Sequence, residues 1–159
     1  MAVPTDGEKV AMNARLIRSA LAGGIAVSLF ALAPGAFAET VKFRADLKPS
    51  SEVPPILDSR GSGTLEGQYD TITKKLTYIL AWRDLTGPAT AAHFHGPADP
   101  GANAGVAVPI LVNIGNPVSS GADLNDGQAK DLLAGKWYVN IHTQSAPGGE
   151  IRGQMMKVN

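Results

Sequence analysis

The sequence predicts an all-β fold, an antiparallel sandwich or small barrel with one short helix. Three observations point there. With Gly at 18 and Pro at 11 in 159 residues, turn formers recur too often for a long-helix bundle. Aromatic residues make up only 6%, and the segments between turns are short runs that alternate apolar and polar side chains, as half-buried strands do. Only one segment carries the 3.6-residue apolar spacing of a helix.

The first 38 residues stand apart from these elements. Arg15 and Arg18 precede an apolar run from Ala20 to Ala33 that ends at Pro34 and Gly35, followed by Ala36-Phe37-Ala38. A positive stretch, a hydrophobic stretch and a small-residue cleavage site are the features of a secretory signal peptide. The apolar run is too short to cross a hydrocarbon layer of about 30 Å comfortably. The expectation is therefore export with cleavage after Ala38, with no membrane anchor left afterwards. Leu16 and Ile17 separate the two arginines, so the signal is not of the twin-arginine type. The polar stretch before Met12 adds nothing a signal needs, which makes Met12 a candidate initiator and residues 1–11 a candidate upstream extension. The domain expected to fold is residues 39–159.

Within it, VKFRADL from Val41 to Leu47 alternates as a strand does and stops at Pro49. The stretch SSEVPPILDSRGSG, with Pro54, Pro55, Gly61 and Gly63, reads as a loop. Thr64–Tyr69 and Leu76–Trp82 are strands joined as a hairpin across Asp70–Lys75, with Leu76, Tyr78, Leu80 and Trp82 on one face. Ala91–Gly96 is a short strand. Val106–Ile114 is another, and Pro109 within it marks an edge position or a bulge. An open edge there is a candidate for pairing between subunits. The helix begins at Asn125, a capping residue, carries Ala129, Leu132 and Leu133 on one stripe, and ends at Gly135. Lys136–Thr143 and Glu150–Val158 are the last strands. In the first of them Trp137, Val139 and Ile141 face one way, and Tyr138, Asn140 and His142 the other.

Composition excludes several classes of function. Lys and Arg total 14 and Asp and Glu 14, so no charge excess suggests nucleic acid or an anionic membrane surface. Cysteine is absent, which removes disulfides, thiolate metal sites and thiol nucleophiles together. No GxSxG elbow, phosphate-binding loop or paired glycosidase carboxylates are present, and no residue is marked as catalytic.

What remains is the set of three histidines. His93 and His95 occur at i and i+2 in AAHFHGPA, a spacing that on a strand sends both imidazoles to the same face, roughly 7 Å apart at Cα. His142, in YVNIHT, also lies opposite an apolar face. If their strands are neighbours, the three converge on one metal ion. Imidazoles without thiolate suit Cu(II), Zn(II) or Ni(II), and the Irving–Williams order places Cu(II) tightest; zinc is the alternative ion. Three protein ligands leave a coordination position open. The competing reading is structural: a histidine at a strand end also fastens loop carbonyls, as His95 before Gly96-Pro97 could. Met155 falls on the core face and Met156 on the outer one. Arg152 is expected to pair with Glu150 on its own strand rather than to present a cation to an anion near the metal.

FRADLKPSSEVPP, AAHFHGPA and YVNIHT followed by PGGEIRGQ, in that order, resemble the CHRD domain, the module named after chordin and found singly in many bacterial exported proteins. The resemblance covers about residues 41–156. It implies an immunoglobulin-like, Greek-key β-barrel with limited similarity to the Cu/Zn superoxide dismutases, and no established activity. Carried over residue by residue, His93 and His95 resemble the copper-binding H-x-H pair of those enzymes and His142 the late-strand copper histidine. Arg152 is only loosely comparable to their anion-guiding arginine. With no further histidine for a bridge or a zinc site, a dinuclear centre is excluded by counting. The expected function is that of an exported protein holding one copper ion for binding, storage or delivery. Two alternatives stand beside it: a metal-free structural or interaction module, and a copper-dependent oxidoreductase acting on superoxide.

Overall fold

The computed structural model describes residues 39–158. The expected signal peptide, its cleavage after Ala38 and the extension before Met12 lie outside these residues. Nine strands form two antiparallel sheets with one α-helix among the described residues. In chain order they are β1 Thr40–Leu47, β2 Ser62–Asp70, β3 Lys75–Arg83, β4 Ala89–His95, β5 Val106–Ile110, β6 Val118–Asp123, α1 Asp126–Leu133, β7 Tyr138–Thr143, β8 Ile151–Gln154 and β9 Met156–Val158. One sheet has the order β6-β3-β2-β1-β9 and the other β5-β4-β7-β8.

The core lies between the sheets and follows strand alternation. Phe43, Ala45 and Leu47 of β1 point inward while Lys42, Arg44 and Asp46 are exposed. Leu65 of β2 and Leu76, Tyr78 and Leu80 of β3 meet Phe94 of β4, Val139 and Ile141 of β7, and Ile151 of β8. Phe94 stands edge-on to Tyr78 with ring centroids 5.0 Å apart, a favoured aromatic geometry. Each fully buried side chain of this size contributes about 1.5–3 kcal/mol. Helix α1 is built as the sequence indicates: Asn125 accepts from the Gln128 backbone N–H, the Gln128 side chain accepts from the Asn125 N–H, and Gly135 turns the chain out at φ +72°. Its buried Ala129 and Leu132 join the core.

Three segments differ from the sequence reading. The strand from Val106 stops at Ile110, and residues Val112–Ile114 form a 3-10 turn. Pro109 is tolerated because β5 is an edge strand, and the ladder also shifts register between Phe94 and His95, so the edge and the bulge are both present. Strand β6, VSSGAD, escaped detection because it carries one buried apolar residue, Val118, and its pairing to β3 supplies the order that its sequence lacks. The last strand divides at Met155. Residues 151–154 pair with β7 in one sheet and residues 156–158 with β1 in the other, with Met155 fully buried at the crossing.

The sheets also join where β8 meets the end of β1. Lys48 N–H donates to Arg152 O at 2.9 Å and Arg152 N–H to Lys48 O at 3.2 Å. Gly153 permits this approach, because a Cβ there would lie 2.7 Å from Asp46 O.

The outer face of the four-stranded sheet positions the site. Alternation predicts that Tyr138, Asn140 and His142 face water, yet Tyr138 and Asn140 are buried. Two loops roof this face. Residues 96–105 bond to it through Ala104, whose N–H donates to Tyr138 Oη at 3.2 Å. Asn103 Nδ2 donates to Val53 O at 3.0 Å and ties that loop to the proline-rich one.

Candidate metal centre

Register brings the histidines together. In the β4–β7 ladder Ala91 faces His142, His93 faces Asn140 and His95 faces Tyr138. Alternation keeps His93 and His95 on the face away from Phe94, and the same rule in β7 places His142 on that face beside Asn140. The two strands are neighbours, as convergence required. One ligand atom from each histidine lies within 4.8 Å of the others, and His93 Nδ1 and His142 Nε2 are 3.1 Å apart. His95 is buried, and His93 and His142 partly so.

The partners of the rings fix which nitrogens are free. His95 Nδ1 donates to Ala104 O at 3.0 Å and His142 Nδ1 to Pro147 O at 3.0 Å. A carbonyl can only accept, so each Nδ1 carries the proton and each Nε2 presents a lone pair. Those lone pairs point into the cluster. This is the outer-shell arrangement that orients metal-ligating histidines, with the non-ligating N–H held by a backbone carbonyl. Between His93 Nδ1 and His142 Nε2 one shared cation is needed, a proton on His93 in the free protein or a metal ion. The structural reading of His95 is also borne out, since it does fasten the loop at Ala104. The two roles use different nitrogens.

Burial lowers the His93 and His142 pKa values from the usual 6.5. For His93 the neighbouring imidazoles His142 and His95 add to this. For His142 the bond to Pro147 O opposes it. Both rings are thus neutral, the form that binds metal. Because the folded state resists protonating them, their contribution to stability is intact above the unfolded value and is lost as pH falls below it.

Glu52, which sequence reasoning left aside, lies behind Asn140 and is 5% exposed. Burial pushes its carboxyl up to about 7, against the pull of Arg152 and the hydrogen bonds of Asn140 and Val53. The sign here is opposite. The folded state holds a proton that the unfolded chain releases near 4.5, so this contribution is full below that value and lost as pH rises through about 7. Glu52→Gln, which stays neutral, is expected to gain stability relative to the wild type by on the order of 2 kcal/mol between about pH 5 and pH 8. Urea unfolding at both pH values measures the difference, and a gap that does not change with pH contradicts it.

Arg152 corrects the pairing expected from sequence. It is 2% exposed and does not bond to Glu150. Its Nη1 donates to Asn103 Oδ1 at 2.9 Å and its Nη2 to Ala102 O at 2.6 Å, while its Cζ lies 3.4 Å from the Tyr138 ring centroid. Tyr138 in turn stacks on His95, with centroids 4.8 Å apart and planes at 3°. Glu150 is instead bound by Ser59, Thr86 and Thr143. The i, i+2 spacing suggested a pair, but the overlying loops supply each residue with closer partners. Met155 is in the core and Met156 is exposed, as expected.

A surface concavity of about 870 Å³ lies over the outer face of the other sheet, and no histidine lines it. The three histidines, with ligand atoms within 4.8 Å of one another, are a candidate metal site by their donor geometry.

An antiparallel β-sandwich with a three-histidine cluster on one sheet is the class of protein that fold and site define. The chain belongs to the CHRD domain family, whose pattern matches residues 43–155. No curated protein and no solved structure matches it.

Proposed function

We propose that this is an exported protein that holds one copper ion through His93, His95 and His142, for binding, storage or delivery. The observation that carries the reading is the hydrogen-bond accounting at the rings: Ala104 O and Pro147 O occupy the Nδ1 protons of His95 and His142, His142 Nε2 lies 3.1 Å from His93 Nδ1, and one ligand atom of each ring falls within 4.8 Å of the others. A structural histidine needs no such convergence. Imidazole donors favour Cu(II), with Zn(II) as the alternative ion, and a copper ion held here would supply a Lewis-acidic centre and a one-electron couple. The immediate partners of the cluster are neutral carbonyls and an amide, which suits retention of an ion better than turnover of a substrate. An exported, oxidising compartment is consistent with Cu(II) as the bound form.

The test is titration of the purified protein with Cu(II) and with Zn(II). One equivalent of copper is expected, together with a rise in stability of about 2.7 kcal/mol when free metal reaches a hundred times Kd. His93→Ala and His142→Ala are each expected to weaken binding at least about 100-fold, as loss of one of three ligands should do. Uptake that neither substitution changes would leave the cluster as a loop fastener and remove the metal role.

A further inference from the structure

Asn140 sits at the centre of the cluster. It faces His93 across the ladder, and its neighbours on the same face of β7 are Tyr138 and His142. Its Oδ1 lies 3.0 Å from the Nε2 atoms of both His95 and His142. Both imidazoles already give their Nδ1 proton to a carbonyl, so an amide oxygen and two ring lone pairs meet with no donor among them. Acceptors at this separation repel unless a cation lies between them.

The other end of the amide faces Glu52. Asn140 Nδ2 and the Glu52 carboxyl crowd the same point beside Gly149, where an added Cβ would overlap both. Nδ2 is the amide atom on the Glu52 side, and Oδ1 is the one on the side of the two rings. Gly149 makes room for this contact and takes φ +128°, a conformation open to glycine.

Building on the three-histidine reading, we propose that Asn140 Oδ1 is a fourth metal ligand, giving a donor set of three imidazole nitrogens and one amide oxygen, and that Glu52 is the positioning residue that aims it. All four donors are neutral, and the oxygen is harder than sulfur or imidazole. The set therefore favours a divalent ion over Cu(I).

The experiment uses the full chain labelled with carbon-13 at asparagine Cγ, loaded with Cu(II) and read by pulsed EPR. Couplings to imidazole nitrogens and one carbon-13 coupling are expected. Asn140→Ser should lose the carbon coupling, keep the imidazole couplings and bind copper about ten-fold more weakly. Glu52→Gln should diminish the carbon coupling while keeping the imidazole couplings. The labelled wild type answers the question even if a variant folds poorly. Imidazole couplings without a carbon coupling overturn Asn140 as a ligand and leave the three-histidine site standing. A carbon coupling that Glu52→Gln does not alter overturns the positioning role. A wild type that takes up neither copper nor zinc overturns both readings together.

Discussion

Arg152→Ala should lower the stability of the metal-free protein by about 3–5 kcal/mol, the cost of removing one member of a buried charged network. Arg152 is 2% exposed, its guanidinium donates to Asn103 and Ala102 and lies against the Tyr138 ring, and its charge favours the ionised form of buried Glu52. Its removal orphans two loop acceptors and deprives Glu52 of its compensating cation. Arg152→Lys retains the charge but cannot supply the planar fork or the stack, so it should recover only part of the loss. Urea unfolding of the three proteins measures this, and a deficit below about 1 kcal/mol for Arg152→Ala would mean that water replaces the guanidinium at little cost. The effect should reach the metal centre as well. Asn103 and Ala102 belong to the loop whose Ala104 carbonyl sets the His95 tautomer, and Tyr138 stacks on that ring. Copper affinity should fall in Arg152→Ala even though the guanidinium bonds to none of the three histidines.

Sequence alone made the inward faces legible, since alternation is a local property. Phe43, Leu76, Phe94, Val139 and Ile141 lie where period two places them. The His93 and His95 pair was legible for the same reason. His142 could be placed on the right kind of face, but its meeting with them depended on β4 and β7 being neighbours, which no local pattern encodes. The roof over the outer face was hidden for a further reason. Residues 96–105 and 52–61 have the composition of exposed turns, and what they cover is decided by long-range bonds such as Asn103 to Val53 and Arg152 to Ala102. Glu52, Asn140 and Arg152 thus read as surface polar groups and are found buried. The one local sign was Asn140 itself, two residues before His142 on the same strand face. Strand β6 was hidden differently, because an edge strand with a single buried side chain lacks the alternation that reveals the others.

The second large effect concerns Glu150, which is fully buried yet pairs with no cation among the described residues. Its Oε1 accepts from Ser59 Oγ at 2.6 Å and from the Thr86 N–H at 2.8 Å, and its Oε2 accepts from Thr86 Oγ1 at 2.8 Å and Thr143 Oγ1 at 2.6 Å. Burial pushes this carboxyl up, but the bonds from Ser59, Thr143 and Thr86 outweigh it and hold the pKa below the ordinary 4.5. Only an ionised carboxylate accepts at all four places. Glu150→Ala should therefore cost about 3–5 kcal/mol, because it strands several buried donors at once. Glu150→Gln keeps the shape but turns an amide N–H₂ toward those donors, and about 2–3 kcal/mol is expected. The sign of the pH dependence separates this from simple loss of packing. A depressed carboxyl stabilises the fold above its unfolded value and loses that contribution as pH falls through the folded one, whereas Gln does not titrate. The deficit of Glu150→Gln should be full at about pH 7 and shrink toward about pH 3, and a constant deficit in urea unfolding would show that the carboxylate charge plays no part. Thr143, one of the three residues that anchor this carboxylate, also opens the turn that carries Pro147 O, which sets the His142 tautomer. Glu150 thus holds the second imidazole by its turn as Arg152 holds the first by its loop, and Glu150→Gln should weaken copper binding in parallel with its loss of stability.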